Sequence, residues 1–345
     1  MESAIPTHLK SLCPRARRID DSFTPAYPAF VARYQPGLES VAMAYFGVQY
    51  EGSADATVSR ALDWLAARFA DEDGPEFWDR SEGVDSAGFI NIISAAYWSD
   101  RSAFDRWFPA TRAAWTGEGT EAAAFGTFIE VFTPSAEGYE TLYSSAQHHQ
   151  EGIGNLATAI SGPIVEHSYW GSMRDRIALS QSDELRGAGE PHLLRDGKRV
   201  RVVPHDNLCL IRSGQDWSET AGDETEMYER DIEPVLRAGM AFLSDQGLPI
   251  GCFSNRYMTV VPSGDRPSRR SFGLSVWRDI GALEIWAEHH PTHLKIFGAA
   301  MKYLGVLGPA ARLRLHHEVS VLKHTEQIFE YYNCHPKTGM LNIGC

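Results

Sequence analysis

Cysteine is scarce in this chain and too scattered for a disulfide framework. The five residues, Cys13, Cys209, Cys252, Cys334 and Cys345, are odd in number and form no CxxC pair. That pattern points to a reduced, cytoplasmic setting and argues against cysteine-rich zinc and iron–sulfur sites. No apolar run is long enough to span a bilayer, so no membrane partner is expected. The first twenty residues carry Arg15, Arg17 and Arg18 but lack the apolar stretch of a secretory signal. Excess positive charge is missing as well. A net charge of −13 opposes binding to nucleic acid or to anionic lipid. HExxH, GxGxxG and GxxxxGK[ST] are all absent, which leaves zinc-peptidase, dinucleotide and P-loop chemistry with little support.

What remains is an ordinary globular composition, 345 residues of which 43% are hydrophobic, enough for one large or two smaller domains. The order of its patterns is more informative. A strand is expected over residues 41–50 (VAMAYFGVQY), a helix over 57–69, and a second strand over 88–97, followed by Trp98-Ser99-Asp100 and a short helix. A further strand is expected over 125–132. The C-terminal half repeats that order. Strand-like 208–212 precedes a helical stretch over 226–244 punctuated by Pro234, then strands over 256–261 and 272–277. Trp277-Arg278-Asp279 next runs into a helix. Trp98, Asp100, Phe104 and Trp107 match Trp277, Asp279, Leu283 and Trp286 in spacing. The pattern favours a duplicated α+β unit, with two sheets flanking a cleft suited to a cofactor.

Seven of the thirteen histidines lie beyond residue 288. Pro291 suits the first turn of a helix, on which His293, Phe297 and Ala300 share one face. On spacing alone His293 reads first as a hydrogen-bonded core histidine and second as a ligand to a metal or haem iron. In the strand over 312–322 (RLRLHHEVSVL), alternation sets His317 with Leu313, Leu315, Val319 and Val321. His316 joins Arg314, Glu318 and Ser320 and is expected to face water or a polar surface. Arg174 and Arg176 in YWGSMRDR read as surface partners of Asp175. Ser213 in LCLIRSG reads as a turn or cap residue ending its strand, and Glu140 in GYETLY as a surface carboxylate.

Taken together, YFGVQY, ETLY, YWGSMRDR, HDNLCLIRSGQDW, GCFSNR, HPTHLKIF, HHEVSV and NCHPKTGM resemble the haem-containing aldoxime dehydratases over nearly the whole chain. The resemblance implies an α+β fold of duplicated ferredoxin-like units, similar to the dimeric α+β barrel haem proteins. The halves would span 37–144 and 201–335, joined by 145–200, with terminal extensions 1–36 and 336–345. It places the proximal haem ligand on His293 and the distal catalytic histidine on His317. The active-site arginine falls on Arg176, the serine on Ser213 and the acidic residue on Glu140. His316 departs from the family pattern, but alternation independently supports His317.

The resemblance further implies haem b working as Fe(II), a small aldoxime substrate and a homodimer. Nitrogen coordination to soft ferrous iron and proton delivery by His317 would expel water from R–CH=N–OH to give a nitrile. A haem peroxidase or chlorite-decomposing enzyme on the same fold is the nearest alternative, and a non-enzymatic haem sensor the next.

Overall fold

The computed structural model describes residues 1–20, 22–116, 125–147, 151–168, 172–262 and 267–345. The aromatic pair Tyr169–Trp170 of the YWGSMRDR segment lies outside the described residues. The N-terminal half forms β1 (Ala32–Arg33), β2 (Ala42–Tyr50), α1 (Ala56–Phe69), β3 (Phe77–Val84), β4 (Ile90–Trp98), α2 (Arg101–Trp115), β5 (Gly126–Phe132) and β6 (Tyr139–Tyr143). The middle contributes β7 (Ala159–Ile160), α3 (Ser172–Arg176), β8 (His192–Asp196) and β9 (Arg199–Val203). The C-terminal half continues with β10 (Leu208–Asp216), α4 (Asp223–Met227), α5 (Glu233–Gln246), β11 (Cys252–Val260) and β12 (Arg270–Trp277). After these come α6 (Ile280–His289), α7 (Pro291–Leu307), β13 (Arg314–Leu322) and β14 (Gln327–Tyr332).

Twelve strands join one curled antiparallel sheet, in the order β6-β13-β10-β12-β11-β3-β4-β2-β5-β14-β9-β8. The strands of each half follow the same path, β5-β2-β4-β3 in one and β13-β10-β12-β11 in the other. The halves also interleave at their edges. β6 pairs with β13, and β14 pairs with β5. The matched W-x-D turns prove to be one local device used twice. Asp100 caps α2 by accepting from the backbone N–H groups of Ser102 and Ala103, and Asp279 caps α6 by accepting from Ala282. The fully buried Trp98 meets Trp107 at 5.2 Å, as Trp277 meets Trp286 at 5.6 Å. Each such ring pair adds about 0.5–1.5 kcal/mol beyond its buried area.

β3 and β14 do not stand out in the sequence. β3 carries Asp79 and Ser81 at buried positions, so its alternation never looks amphipathic. Asp79 is buried because Arg212 of β10 reaches it at 2.7 Å from across the molecule.

The curl brings the two halves face to face, and the space between them is filled. Tyr45, Tyr97, Phe128 and Phe132 pack there with Leu208, Leu210, Phe272 and Leu274. The expected sheet-lined cleft between the halves is therefore a packed core. On the outer faces, α1 and α2 cover the N-terminal half, while α5 and α6 cover the C-terminal half.

Candidate active site

β13 alternates as its sequence requires and keeps His317 on the face of Val319 and Val321, but the face of His316 is dry as well. His316, Glu318 and Ser320 turn into the packed interior and are buried, His316 at 8% exposure, contrary to the expected polar surface. Glu318 receives the Ile153 backbone N–H at 2.6 Å. His317 is half-buried on the opposite face, which Val319 and Val321 share with the α5–α6 layer.

Pairing register gathers the other residues around His317. Ser213 of β10 lies directly opposite it. The strand runs on to Asp216, so Ser213 is a mid-strand residue and not the strand end expected from the sequence. Glu140 of β6 lies opposite Val319 and so projects on the same face as His317. It is buried at 5% exposure and is no surface carboxylate.

α3 supplies the cation. Arg176 grips Glu140 through Nε at 2.7 Å and Nη2 at 3.1 Å, and its Nη1 donates to the Glu166 carbonyl at 2.9 Å. His317 Nε2 lies 2.9 Å from Glu140 Oε1 and 2.9 Å from Arg176 Nη2. Burial opposes charge on Glu140, but Arg176 and His317 outweigh it and hold the carboxyl below its ordinary range. One imidazole nitrogen thus faces both an acceptor and a donor. When protonated it donates to Glu140, and when bare it accepts from Arg176. The ring can keep its orientation in either state, and both of these contacts fall on Nε2.

The expected surface pairing of Arg174 and Arg176 with Asp175 does not occur. Arg174 forks onto Glu284 of α6, while Asp175 accepts from the backbone N–H groups of Arg18 and Ile19.

His293 stands on the first turn of α7. Pro291 keeps His290 extended and so separates α6 from α7. The His290 side chain caps the new helix at Thr292 N–H. His293 Nδ1 donates to the Ala287 carbonyl at 2.8 Å, and its ring sits 4.5 Å from that of Trp286. A carbonyl only accepts, so the neutral ring carries its proton on Nδ1 and its lone pair on Nε2. Burial pushes its pKa down to about 4, keeping the ring neutral at pH 7. A neutral imidazole fixed by a backbone carbonyl is the donor that an axial haem iron position needs. Around it, α7 offers apolar side chains that the fold does not fully cover. Leu294 is 41% exposed, Ile296 and Phe297 are half-buried, and only Tyr303 is buried. The residues present fit a haem.

Two contacts here had no sequence signal, the carbonyls of Glu166 and Ala287, because backbone groups look alike at every position. Trp286 was visible only as half of a repeat.

Residues 44–340 match the family model described as haem-containing dehydratase. The chain belongs to that family. It is 41% identical to an aliphatic aldoxime dehydratase of Pseudomonas chlororaphis, over 99% of this chain and 98% of that one. A second aliphatic aldoxime dehydratase, from a Pseudomonas species, is 43% identical with the same coverage. A crystal structure of an aldoxime dehydratase in complex with butyraldoxime superposes with a TM-score of 0.93 at 39% identity, covering 99% of this chain and 96% of that one.

Proposed function

We propose that this member of the haem-containing dehydratases converts aldoximes, R–CH=N–OH, to nitriles and water. The observation that carries the reading is the pairing of two unlike imidazoles. His317 is clamped by a charged Glu140–Arg176 pair, and His293 is held neutral in the tautomer of a haem ligand.

His293 would hold the haem, of the b type and active as Fe(II), which when bound would supply an electron-rich iron for the oxime nitrogen. The b type agrees with the lack of any CxxCH attachment motif. His317 gives the proton on Nδ1 to the departing oxime hydroxyl, which leaves as water. Glu140 stabilises the imidazolium before that transfer. Arg176 is buried with its contacts inside the chain, so it holds Glu140 and His317 and does not clamp the substrate. Among the described residues the Ser213 hydroxyl makes no hydrogen bond, so it is available to hold the oxime oxygen toward His317. The neutral His317 then takes the aldehydic C–H proton as the nitrile forms, so the cycle consumes no net proton. A silent haem sensor would have no use for this proton cycle, and a peroxidase, which could use one, is disfavoured by the 41% identity to an aldoxime dehydratase over 99% of this chain.

The shared strand path and the paired W-x-D turns support two ferredoxin-like units, residues 37–144 and 201–335, joined by 145–200. A cytoplasmic homodimer is the assembly we infer from the family resemblance and the unpaired cysteines. No helix among the described residues is long and apolar enough to cross a membrane. Sedimentation as a monomer at micromolar concentration would contradict the dimer alone.

The reaction is tested with reduced, haem-loaded protein under anaerobic conditions. Butyraldoxime should yield the nitrile by chromatography. Ketoximes, which lack the aldehydic hydrogen, should give none, and ferric protein should be weakly active or inactive. Efficient peroxide turnover with no nitrile would replace this reading with the peroxidase.

A further inference from the structure

Three consecutive residues of α3 reach three separate parts of the molecule. Arg176 holds Glu140 on β6 and stands beside His317 on β13. Asp175 accepts from the backbone of Arg18 and Ile19 in the N-terminal leader. Arg174 meets Glu284 on α6 through Nε at 3.0 and 3.1 Å and Nη2 at 2.7 Å, and its Nη1 donates to the Glu184 carbonyl at 2.5 Å. Glu284 is buried at 4% exposure and also receives Arg18 at 3.1 Å.

The position of Glu284 gives this contact its meaning. It lies three residues before Ala287, so the two share one face of α6. The Ala287 carbonyl is the group that fixes His293. A continuous path therefore runs from His317 through Arg176, along α3 to Arg174, across to Glu284, and along α6 to Ala287 and His293. Rigid helical turns and a two-pronged guanidinium–carboxylate contact transmit position better than loose surface pairs do.

We infer that the Arg174–Glu284 pair is a strut that sets the proximal imidazole of His293 relative to the distal His317, making Arg174 and Glu284 positioning residues for the dehydration. The inference rests on the reading of His293 and His317 given above. With the strut intact, the Ala287 carbonyl and the Arg176 guanidinium move as one body. Without it, α6 and α3 are bridged by Arg18, whose backbone N–H meets Asp175 and whose half-exposed guanidinium meets Glu288, a looser connection.

The test uses full-length, haem-loaded protein. Glu284→Gln should keep haem content and thermal midpoint near those of the parent chain. It should move the iron–imidazole stretching band of the ferrous protein and lower kcat about tenfold, leaving KM within about twofold. Arg174→Lys keeps the charge but loses the fork, so it should show a smaller shift of the same sign. If Glu284→Gln does not fold, the Arg174→Lys band carries the test. Arg101→Gln, which removes an exposed pair with Asp105 on α2, is the control and should change none of these. An iron–imidazole band unmoved in both strut variants overturns the inference, whatever happens to the rate. The band is read without substrate, so a parent protein that makes no nitrile would reject the dehydratase reading and leave this result standing.

Discussion

At the scale of single residues, the site divides labour between histidines that look interchangeable in sequence. His293 is kept neutral by burial, which outweighs the opposing pull of the Ala287 carbonyl that fixes its tautomer, whereas His317 is set against a carboxylate that its neighbours keep charged. Replacing His293 with Ala should abolish or greatly weaken the Soret band, and undiminished haem binding would reject it as the ligand. His317→Ala should retain haem and lose about two orders of magnitude or more in kcat. His316→Ala should lower stability and leave turnover within a few-fold, because His316 lies in the packed interior on the other side of the sheet. A paired kinetic assay with the opposite ordering would overturn the assignment.

Among the elements, the β10–β13 ladder matters most, since it places Ser213 opposite His317. Its neighbouring rung is Gly214 opposite His316, and a Cβ on Gly214 would come within 2.2 Å of the His316 ring. Glycine is required there by close approach. Gly214→Ala should therefore destabilise the fold by about 1–3 kcal/mol through overpacking. It should also slow turnover, because relief requires β13 to move. Adding His316→Ala to Gly214→Ala should restore part of both losses. Denaturant unfolding of the two single variants and the double variant checks this, and strictly additive losses would contradict the contact.

Across the whole molecule, the two halves are held together by a core that contains charge as well as apolar packing. Arg212 pairs with Asp79 and donates to Tyr97, and Arg256 pairs with Glu130, in each case joining the C-terminal half to the N-terminal one. Among the described residues Glu318 makes no ion pair, and burial raises its pKa to about 7, with Arg212 opposing the shift. A folded-state pKa above the unfolded value of about 4.5 means that folding favours the protonated form. The contribution of Glu318 to stability is then greatest below about pH 4.5 and falls as pH rises towards 7. Glu318→Gln, which stays neutral, should match the parent chain near pH 4.5. It should exceed the parent at pH 8 by on the order of 1–3 kcal/mol. Thermal or denaturant unfolding at both pH values measures this, and an equal difference at the two would rule out the titration.

Much of this organisation is already written in the order of the residues. Period-two alternation separates His317 from His316, Pro291 begins the helix of His293, and the spacing of Trp98, Asp100 and Trp107 recurs at Trp277, Asp279 and Trp286. These are short-range patterns, set by backbone geometry within a few residues. Alternation, however, defines two faces without saying which one meets solvent. That choice came from the curl of the sheet, which surrounds Glu318 and Arg212 with partners more than a hundred residues away and makes a polar face the interior. The same long-range contacts turned Glu140 and Arg176 from apparent surface charges into a buried pair, and moved Ser213 from a strand end to its middle. They also filled the space between the halves and left His293, on α7, outside that core. Local sequence could not foresee this, because the free energy that makes a buried charge tolerable resides in its distant partner.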